Sequence, residues 1–218
     1  MGEAPTAADR RTGGRRYGGR STAARVAERR AALLEAGLDL FGTDGYQRVS
    51  VKQVCDRAGL TQRYFYESFD EREALLLAVY DEIVDDVGHR TVDAIDKTLP
   101  TIAELAHVAL TEFIGYLTAD RRRARVMLLE VVGVSPALDA RRRRVIGDFA
   151  EIIVTAGMAH AGLAETTDEF RLSAIGLVGA VNQLLVDWVL GEATADPAAI
   201  EHVCTRLFSA AFAELLPS

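Results

Sequence analysis

Residues 50–69 read SVKQVCDRAGLTQRYFYESF, and this stretch contains two short helical patterns separated by a glycine. Ser50 stands before an apolar-periodic segment, and Gln53 follows three positions later. In this arrangement each of the two side chains can satisfy a free backbone amide at a helix start. The pattern predicts a helix from Val51 to Ala58. Gly59 permits the sharp change of direction that must follow.

A second short helix follows this turn. Thr61 can cap it, and we expect it to run through Tyr66. Two short helices joined by a three-residue turn that contains glycine form a helix-turn-helix, the motif that lays its second helix in the major groove of DNA. Three apolar side chains in and around this helix can face a core, and they are Leu60, Phe65 and Phe69.

The amino-terminal end of the second helix presents three side chains that can read base edges. Gln62 can pair bidentately with adenine and Arg63 with guanine, whereas Tyr64 can contact a thymine methyl group or a phosphate. Nearby hydroxyl and charged side chains can position the protein on phosphates, and they are Ser50, Lys52, Thr61, Tyr66 and Arg72. For Ser50 and Thr61 the alternative role is helix capping alone, and for Tyr66 it is a place in the core.

Charge is divided unevenly along the chain. The 218 residues carry a net charge of −7, but residues 1–30 hold eight arginines against three acidic residues, which gives +5 there and leaves −12 for the remainder. Residues 1–20 are rich in Gly, Arg, Thr and Ala, and this composition predicts a disordered, arginine-rich arm. Arg15, Arg16 and Arg20 could enter the minor groove of DNA, and the alternative is a solvated tail.

The rest of the chain repeats a helical period, and no stretch alternates convincingly at period two, so the sequence predicts an all-α fold. A first helix begins after Ser21 and ends within residues 42–48, and a long helix opens at residues 70–73. Further helices are predicted over residues 102–118, 121–134, 138–161, 168–190 and 198–215. The predicted domains are the arm at 1–20, a small three-helix helix-turn-helix DNA-binding domain at 21–69, and a larger helical effector-binding and dimerisation domain at 70–218.

Residues 30–75, RAALLEAGLDLFGTDGYQRVSVKQVCDRAGLTQRYFYESFDEREAL, resemble the amino-terminal domain of the TetR (tetracycline repressor) family of transcriptional regulators. The matching positions are Leu33, Leu34, Ala36, Leu40, Phe41, Gly45, Tyr46, Val51, Val54, Ala58, Gly59, Leu60, Thr61, Phe65, Tyr66, Phe69 and Leu75. Gly37, Cys55, Ser68 and Arg72 depart from the family's pattern, and the change at Ser68 puts one phosphate contact in doubt. Beyond Leu75 the resemblance is architectural. It implies a homodimer that binds a palindromic operator in double-stranded DNA, with half-sites about one helical turn or slightly more apart.

The second domain is expected to bind a small-molecule effector and to dimerise. Nine residues could line a pocket for a small apolar or acyl-type ligand, or could be core packing, and they are Phe113, Tyr116, Leu117, Met127, Glu130, Phe149, Asn182, Gln183 and Trp188. Stripes on the last two helices suit a two-fold four-helix interface, and they are Ala174, Leu177, Val181, Leu185, Val203, Leu207, Ala210, Ala211 and Leu215. Arginine clusters at 121–125 and 141–144 are interpreted as solvated or paired helix faces, with an anionic ligand such as an acyl-coenzyme A as the alternative.

Other classes of protein find little support. The histidines are scattered, and the sequence has no nucleophile elbow, no Gly-rich phosphate loop and no paired metal-ligand spacing. These features argue against an enzyme, and neither a cofactor nor a metal is expected. No apolar stretch gives the uncharged run of roughly 20 residues that crosses a bilayer, so a cytoplasmic protein with no membrane partner is expected. The predicted function is a ligand-responsive repressor. An activator of the same fold and a nonspecific architectural DNA-binding protein are the alternatives.

Overall fold

The computed structural model describes residues 22–96, 101–192 and 196–215, and within these ranges the chain is helical with short turns and no strand. The all-α expectation is therefore confirmed for this part of the chain. The arm predicted at residues 1–20 lies outside the described residues. The helices are α1 (Thr22–Thr43), α2 (Val51–Ala58), α3 (Gln62–Tyr66), α4 (Arg72–Asp96), α5 (Ile102–Ala119), α6 (Arg121–Arg125), α7 (Pro136–Ala161), α8 (Asp168–Leu190) and α9 (Pro197–Leu215).

Helix α2 begins with the predicted capping box. The amide of Gln53 lies 3.3 Å from the Ser50 hydroxyl, and the amide of Ser50 lies 2.9 Å from Oε1 of Gln53. Gly59 ends the helix in the left-handed region at φ 66°. Thr61 precedes α3 in an extended conformation, but its side chain caps no amide of that helix. The prediction of a capping role for this hydroxyl was wrong, and Thr61 is an exposed residue.

The helix-turn-helix is held by a small core that α1 and α4 complete. Phe41, Phe65 and Leu75 have no exposed surface. Phe41 meets Tyr46 edge to face with the ring centroids 5.5 Å apart. Burying these large side chains contributes roughly 1.5–3 kcal/mol each, so the packing of Phe65 against the neighbouring helices α1 and α2 sets the orientation of α3.

The helix predicted over residues 121–134 is shorter and irregular. It is α-helical to Arg125, continues as a π-helical turn over Val126–Glu130, and then turns at Gly133, whose φ is +70°. Ser135 accepts a hydrogen bond from the amide of Leu138 and so caps α7, which begins at Pro136. The first residue of a helix needs no backbone N–H donor, so proline is tolerated there. Helix α7 therefore begins at Pro136, two residues before the predicted start at residue 138.

The larger domain places α5 between α4 and α9, with α7 and α8 on the other side of a shared apolar core. By length and composition alone, α8 could cross a membrane, with a mean hydropathy of 1.5, whereas the sequence analysis expected no such segment. In this fold Ala174, Val181 and Leu185 of α8 pack into the core. Part of the apolar character of α8 is therefore used inside the domain.

Gly42 lies where α1 passes α6 at close range. A Cβ atom on residue 42 would stand 2.4 Å from the Cβ and 2.7 Å from the Cα of Arg122. Because the second contact is with backbone, the two helices would have to move apart. Gly42→Ala is therefore expected to lower the free energy of unfolding by about 1–3 kcal/mol, although the same change at an open helical site stabilises by roughly 0.4–1 kcal/mol.

Thermal unfolding of this variant beside Gly147→Ala tests the expectation. No atom lies within 4 Å of a Cβ atom placed on residue 147 of α7, so the control is expected to unfold at the same temperature as the parent or slightly higher. A Gly42→Ala protein with an unchanged or raised Tm would show that α1 and α6 do not approach so closely.

Candidate functional site

The amino-terminal end of α3 presents an exposed surface. Gln62 and Arg63 are exposed, and the Arg63 side chain keeps 84% of its accessible surface while its Nε lies 3.1 Å from Oε1 of Glu67. An ion pair this exposed contributes little, so the guanidinium can exchange it for a base or phosphate. Tyr64 is half-buried beneath the guanidinium of Arg29, which stands 4.3 Å from the ring centroid. Two of the three predicted base readers are thus fully presented.

The predicted phosphate contacts differ in how free they are. Ser50 is engaged in its capping box, whereas Thr61 is an exposed residue whose hydroxyl caps no helix. Tyr66 is 56% exposed and is therefore not a core residue. Lys52 is exposed with its Nζ 2.6 Å from Oδ2 of Asp56, and this hydrogen bond raises the pKa of the ammonium, which stays charged at neutral pH.

Arg72 is built into the domain. Its guanidinium lies 4.1 Å from the ring centroid of Tyr46 and donates a hydrogen bond to the carbonyl of Val49. Both partners belong to the connection between α1 and α2. Cation–π stacking and a backbone carbonyl thus hold the guanidinium in place, and a phosphate contact by its remaining donors stays a prediction.

Two arginines of α1 hold the helix-turn-helix in place, and the sequence analysis counted them only as charge. Arg29 covers Tyr64 and stands 3.5 Å from Glu67, while Arg30 covers the ring of Phe69 at 4.4 Å and donates to the carbonyl of Ser68. These contacts join residues nearly 40 positions apart. No local periodicity indicates them.

An elongated apolar cavity of about 100 Å³ lies between α4, α5 and α7, with α8 and α9 closing one side. Four of the nine residues predicted for a pocket line it, namely Phe113, Met127, Phe149 and Asn182. Phe113 and Phe149 meet edge to face with centroids 5.1 Å apart. The polar residues of the wall are Tyr80, Thr91, Arg142 and Asn182. Its composition suits a ligand that is apolar over most of its length.

Two of the other predicted pocket residues lie elsewhere on α5, which corrects their assignment. Leu117 is fully buried in the core. Tyr116 lies on the outer face of the helix between the guanidinium groups of Arg90 and Arg123, at 5.1 and 4.4 Å, and its hydroxyl donates to Asp86. Helical periodicity marks these positions as apolar or aromatic but does not tell which side of α5 faces the cavity.

Two predicted pocket residues near the end of α8 also lie outside the cavity wall. Gln183 is exposed and donates to Asp187 at 2.7 Å. Trp188 is half-buried beneath Arg121, whose guanidinium stands 5.2 Å from the ring and donates to the carbonyl of Val189. These residues serve the surface and the end of α8, so the prediction that they line the pocket is corrected.

Glu130 does not line the cavity but joins the two domains. Its Oε2 accepts a hydrogen bond from the amide of Tyr46 at 2.7 Å, and its Oε1 accepts one from Nε of Arg125 at 2.8 Å. It ends the π-helical turn, and the same turn carries Met127 and Leu128 in the cavity wall. A five-residue segment therefore contacts both the cavity and the connection between α1 and α2.

Near Glu130, a second polar contact joins the two domains through Arg122. The guanidinium of Arg122 lies 2.8 Å from Asp120 and 3.1 Å from Asp39 of α1, and Asp39 also pairs with Arg57 of α2 at 2.6 Å. The hydrogen bond from the Arg122 side chain lowers the pKa of Asp120. The arginine cluster at 121–125 thus consists largely of structural partners, as the sequence analysis expected of such runs.

The exposed apolar stripes of α8 and α9 agree only partly with the predicted interface. Ala174, Val181 and Leu185 are buried within the subunit, so the stripe predicted on α8 is the wrong face of that helix. The exposed apolar side chains of α8 are instead Leu172, Ile175 and Leu190. On α9 the predicted Val203 and Leu207 are exposed at 46% and 45%.

A family model for bacterial regulatory proteins of the tetR family matches residues 33–79. The fatty acid metabolism regulator protein of Bacillus subtilis (strain 168) is 21% identical over 178 residues, which are 80% of this chain and 91% of that protein. The HTH-type transcriptional activator FasR of Mycolicibacterium smegmatis is 25% identical over 151 residues, or 69% of this chain and 68% of that protein.

Among solved structures, the transcriptional regulator FadR from Bacillus subtilis in complex with stearoyl-CoA has a similar fold. It matches with a TM-score of 0.72 at 19% identity, over 82% of this chain and 97% of that one. The similarity therefore extends over both the helix-turn-helix and the helices that enclose the cavity.

Proposed function

Because this chain is a TetR-family transcriptional regulator, whose residues 33–79 match the family model, we propose that it is a cytoplasmic repressor. It binds a palindromic operator as a homodimer and leaves the operator when a long acyl chain binds. The apolar cavity between α4, α5 and α7 carries the proposal. The stearoyl-CoA complex of the similar Bacillus subtilis regulator supports the choice of ligand.

The size of the cavity supports a response that depends on the ligand. Pockets that hold ligands have volumes of roughly 300–1,000 Å³, and this one has about 100 Å³. A long acyl chain can enter only if the helices around it move apart. Such a ligand has different affinities for the narrow and the widened conformation, which is the condition for shifting the population between them.

The π-helical turn offers a route from the cavity to the DNA-binding domain. Met127 and Leu128 would move with the widened wall, and Glu130 would carry that movement to the amide of Tyr46. Arg122 and Asp39 form a second connection to α1. A shift at these contacts changes the separation of the two recognition helices in a dimer, which must match the half-site spacing of about 34 Å.

The exposed stripes of α8 and α9 support the homodimer. Leu172 keeps 68% of its surface and Leu207 keeps 45% within one subunit. Apolar side chains exposed along two neighbouring helices are typical of a surface covered by a second copy. Four helices would then meet around a two-fold axis.

A chain-length series of saturated acyl-CoA ligands tests the effector. We expect the Tm to rise with chain length, since each buried CH₂ contributes about 0.8 kcal/mol to binding and a ligand that binds only the folded state raises stability. Coenzyme A without an acyl chain is the control and is expected to leave the Tm unchanged. A shift of equal size with the control would show that the acyl chain is not what is bound.

Selection of bound sequences from random DNA tests the operator. A palindrome is the expected result, with a binding constant at least 10³ times that for random DNA at the same salt concentration. No enriched sequence would favour the nonspecific architectural alternative. Transcription from the selected operator then separates repression from activation, because loss of the protein raises expression from a repressed promoter and lowers it from an activated one.

A further inference from the structure

A tyrosine lies in the wall at one end of the apolar cavity. Tyr80 is 2% exposed and lines the cavity. Among the described residues, none forms a hydrogen bond with its hydroxyl. Burial raises the pKa of Tyr80 to about 12, so the group is a neutral donor at physiological pH.

A cation lines the same cavity. Arg142 is half-buried in the wall, and in the described ranges no carboxylate pairs with it, whereas its neighbour Arg141 is held by Asp81 at 2.8 Å. The next two arginines, Arg143 and Arg144, are exposed and do not line the cavity. Because no described carboxylate pairs with this guanidinium, an anion in the cavity could do so.

Two contacts place Tyr80 and Arg142 at the same end. The hydroxyl of Ser135 donates to Glu73, and Nε of Arg141 lies 2.8 Å from Asp81. These pairs show that α4 and α7 run in the same direction from a common starting level. Tyr80 precedes Asp81 and Arg142 follows Arg141, so both side chains stand near this second contact.

The apolar remainder of the cavity extends away from this end. The wall continues along α4 as far as Ile95 and along α7 as far as Ala156. At a helical rise of roughly 1.5 Å per residue, the two distances are about 21–23 Å. A lipid acyl chain spans about half of the roughly 30 Å hydrocarbon core of a bilayer. The cavity is therefore long enough for one complete chain with its head at Tyr80 and Arg142.

We propose that Tyr80 and Arg142 form a carboxylate site at the head of the cavity, and that the effector is bound as a free long-chain fatty acid. The inference rests on the proposed function, because it assigns the head group of the acyl effector. The Tyr80 hydroxyl donates to one carboxylate oxygen and the Arg142 guanidinium to the other. Both groups thereby gain the partner that they lack.

The charge of Arg142 favours the acid over its thioester. A carboxylate neutralises the guanidinium and accepts charge-assisted hydrogen bonds, which are about twice as strong as neutral ones. A thioester carbonyl accepts hydrogen bonds but brings no charge to this point. An acyl-CoA carries its negative charges on the phosphates of the coenzyme, many bonds beyond the thioester, so it brings no charge to the point between Tyr80 and Arg142.

Binding of palmitate, hexadecanol and palmitoyl-CoA to the full chain, measured by titration calorimetry, tests the assignment. We expect palmitate to bind at least tenfold more tightly than the neutral alcohol. Tyr80→Phe and Arg142→Gln are each expected to weaken palmitate binding roughly 10- to 100-fold and to change hexadecanol binding less than threefold. Arg143→Gln removes the same charge from an exposed position and is expected to change neither.

Tyr80→Phe removes an atom that has no hydrogen-bond partner among the described residues, so the variant is expected to fold with an unchanged Tm. Equal binding of palmitate and hexadecanol, or palmitate binding that survives both substitutions, would overturn the carboxylate site and leave the acyl-chain effector intact. Tighter binding of palmitoyl-CoA than of palmitate would also overturn the carboxylate site, and it would identify the thioester as the effector. If none of the three ligands binds, the proposed effector class fails as well.

Discussion

Replacing Arg63 by alanine is expected to remove specific operator binding while leaving the fold intact. The Arg63 side chain is 84% exposed at the amino-terminal end of α3, where its guanidinium can form two hydrogen bonds to a guanine. One such pair is worth about 1–3 kcal/mol. A two-fold dimer loses it at both half-sites, so the affinity is expected to fall by a factor of about 30 to about 20,000. Fluorescence anisotropy with operator and random DNA at one salt concentration measures both the loss and its specificity.

Lys52→Ala is the matched control for this variant. Lys52 is exposed at the start of α2, the first helix of the motif, which crosses the DNA backbone, so it is expected to contact phosphate. Its loss is expected to weaken operator and random DNA by the same factor and to lower the salt slope by about 1 per subunit. If Arg63→Ala weakened both DNAs equally, Arg63 would be a phosphate contact and would not read a base.

Replacing Leu207 by glutamate is expected to produce monomers and to reduce operator affinity at least 100-fold. Leu207 belongs to the exposed stripe of α9, and a two-fold axis would bury the new carboxylates without partners. A monomer holds one recognition helix, so it loses the gain of roughly 10²–10⁴ that comes from linking two sites. Light scattering gives the oligomeric state, and anisotropy gives the affinity.

Val132→Glu controls for the general effect of an exposed acidic residue. Val132 is 51% exposed, but it lies in the turn between α6 and α7, away from the stripes. This variant is expected to stay dimeric and to bind DNA as the parent does. A dimeric Leu207→Glu protein would place the interface elsewhere on the molecule.

The sequence predicts the helix-turn-helix well because its signals are local. A capping box, a glycine in the left-handed region and a three-residue turn all lie within residues 50–61, and the structure reproduces each of them. The role of Thr61 was wrong in detail, because extended backbone at a capping position does not require that the side chain reach an amide.

Contacts between distant elements could not be predicted from the same patterns. Glu130 looks like a polar residue in apolar sequence, which is equally compatible with a pocket wall and with its observed bond to Tyr46, 84 residues earlier. Likewise, α8 is apolar on both faces, so periodicity could not tell the buried Ala174 from the exposed Ile175. Arg142 is one of four successive arginines, and it is the only one of them that lines the cavity. The packing of α4 against α7 determines this, and the sequence alone does not show it.

The most direct test of the account is release of the operator by a long acyl ligand. Labelled operator with bound protein is titrated with palmitate and with palmitoyl-CoA while anisotropy reports DNA binding and light scattering reports the oligomeric state. We predict saturable release of DNA by a protein that stays dimeric. Continued DNA binding at saturating amounts of both ligands, or ligand-driven dissociation of the dimer into monomers, would contradict it.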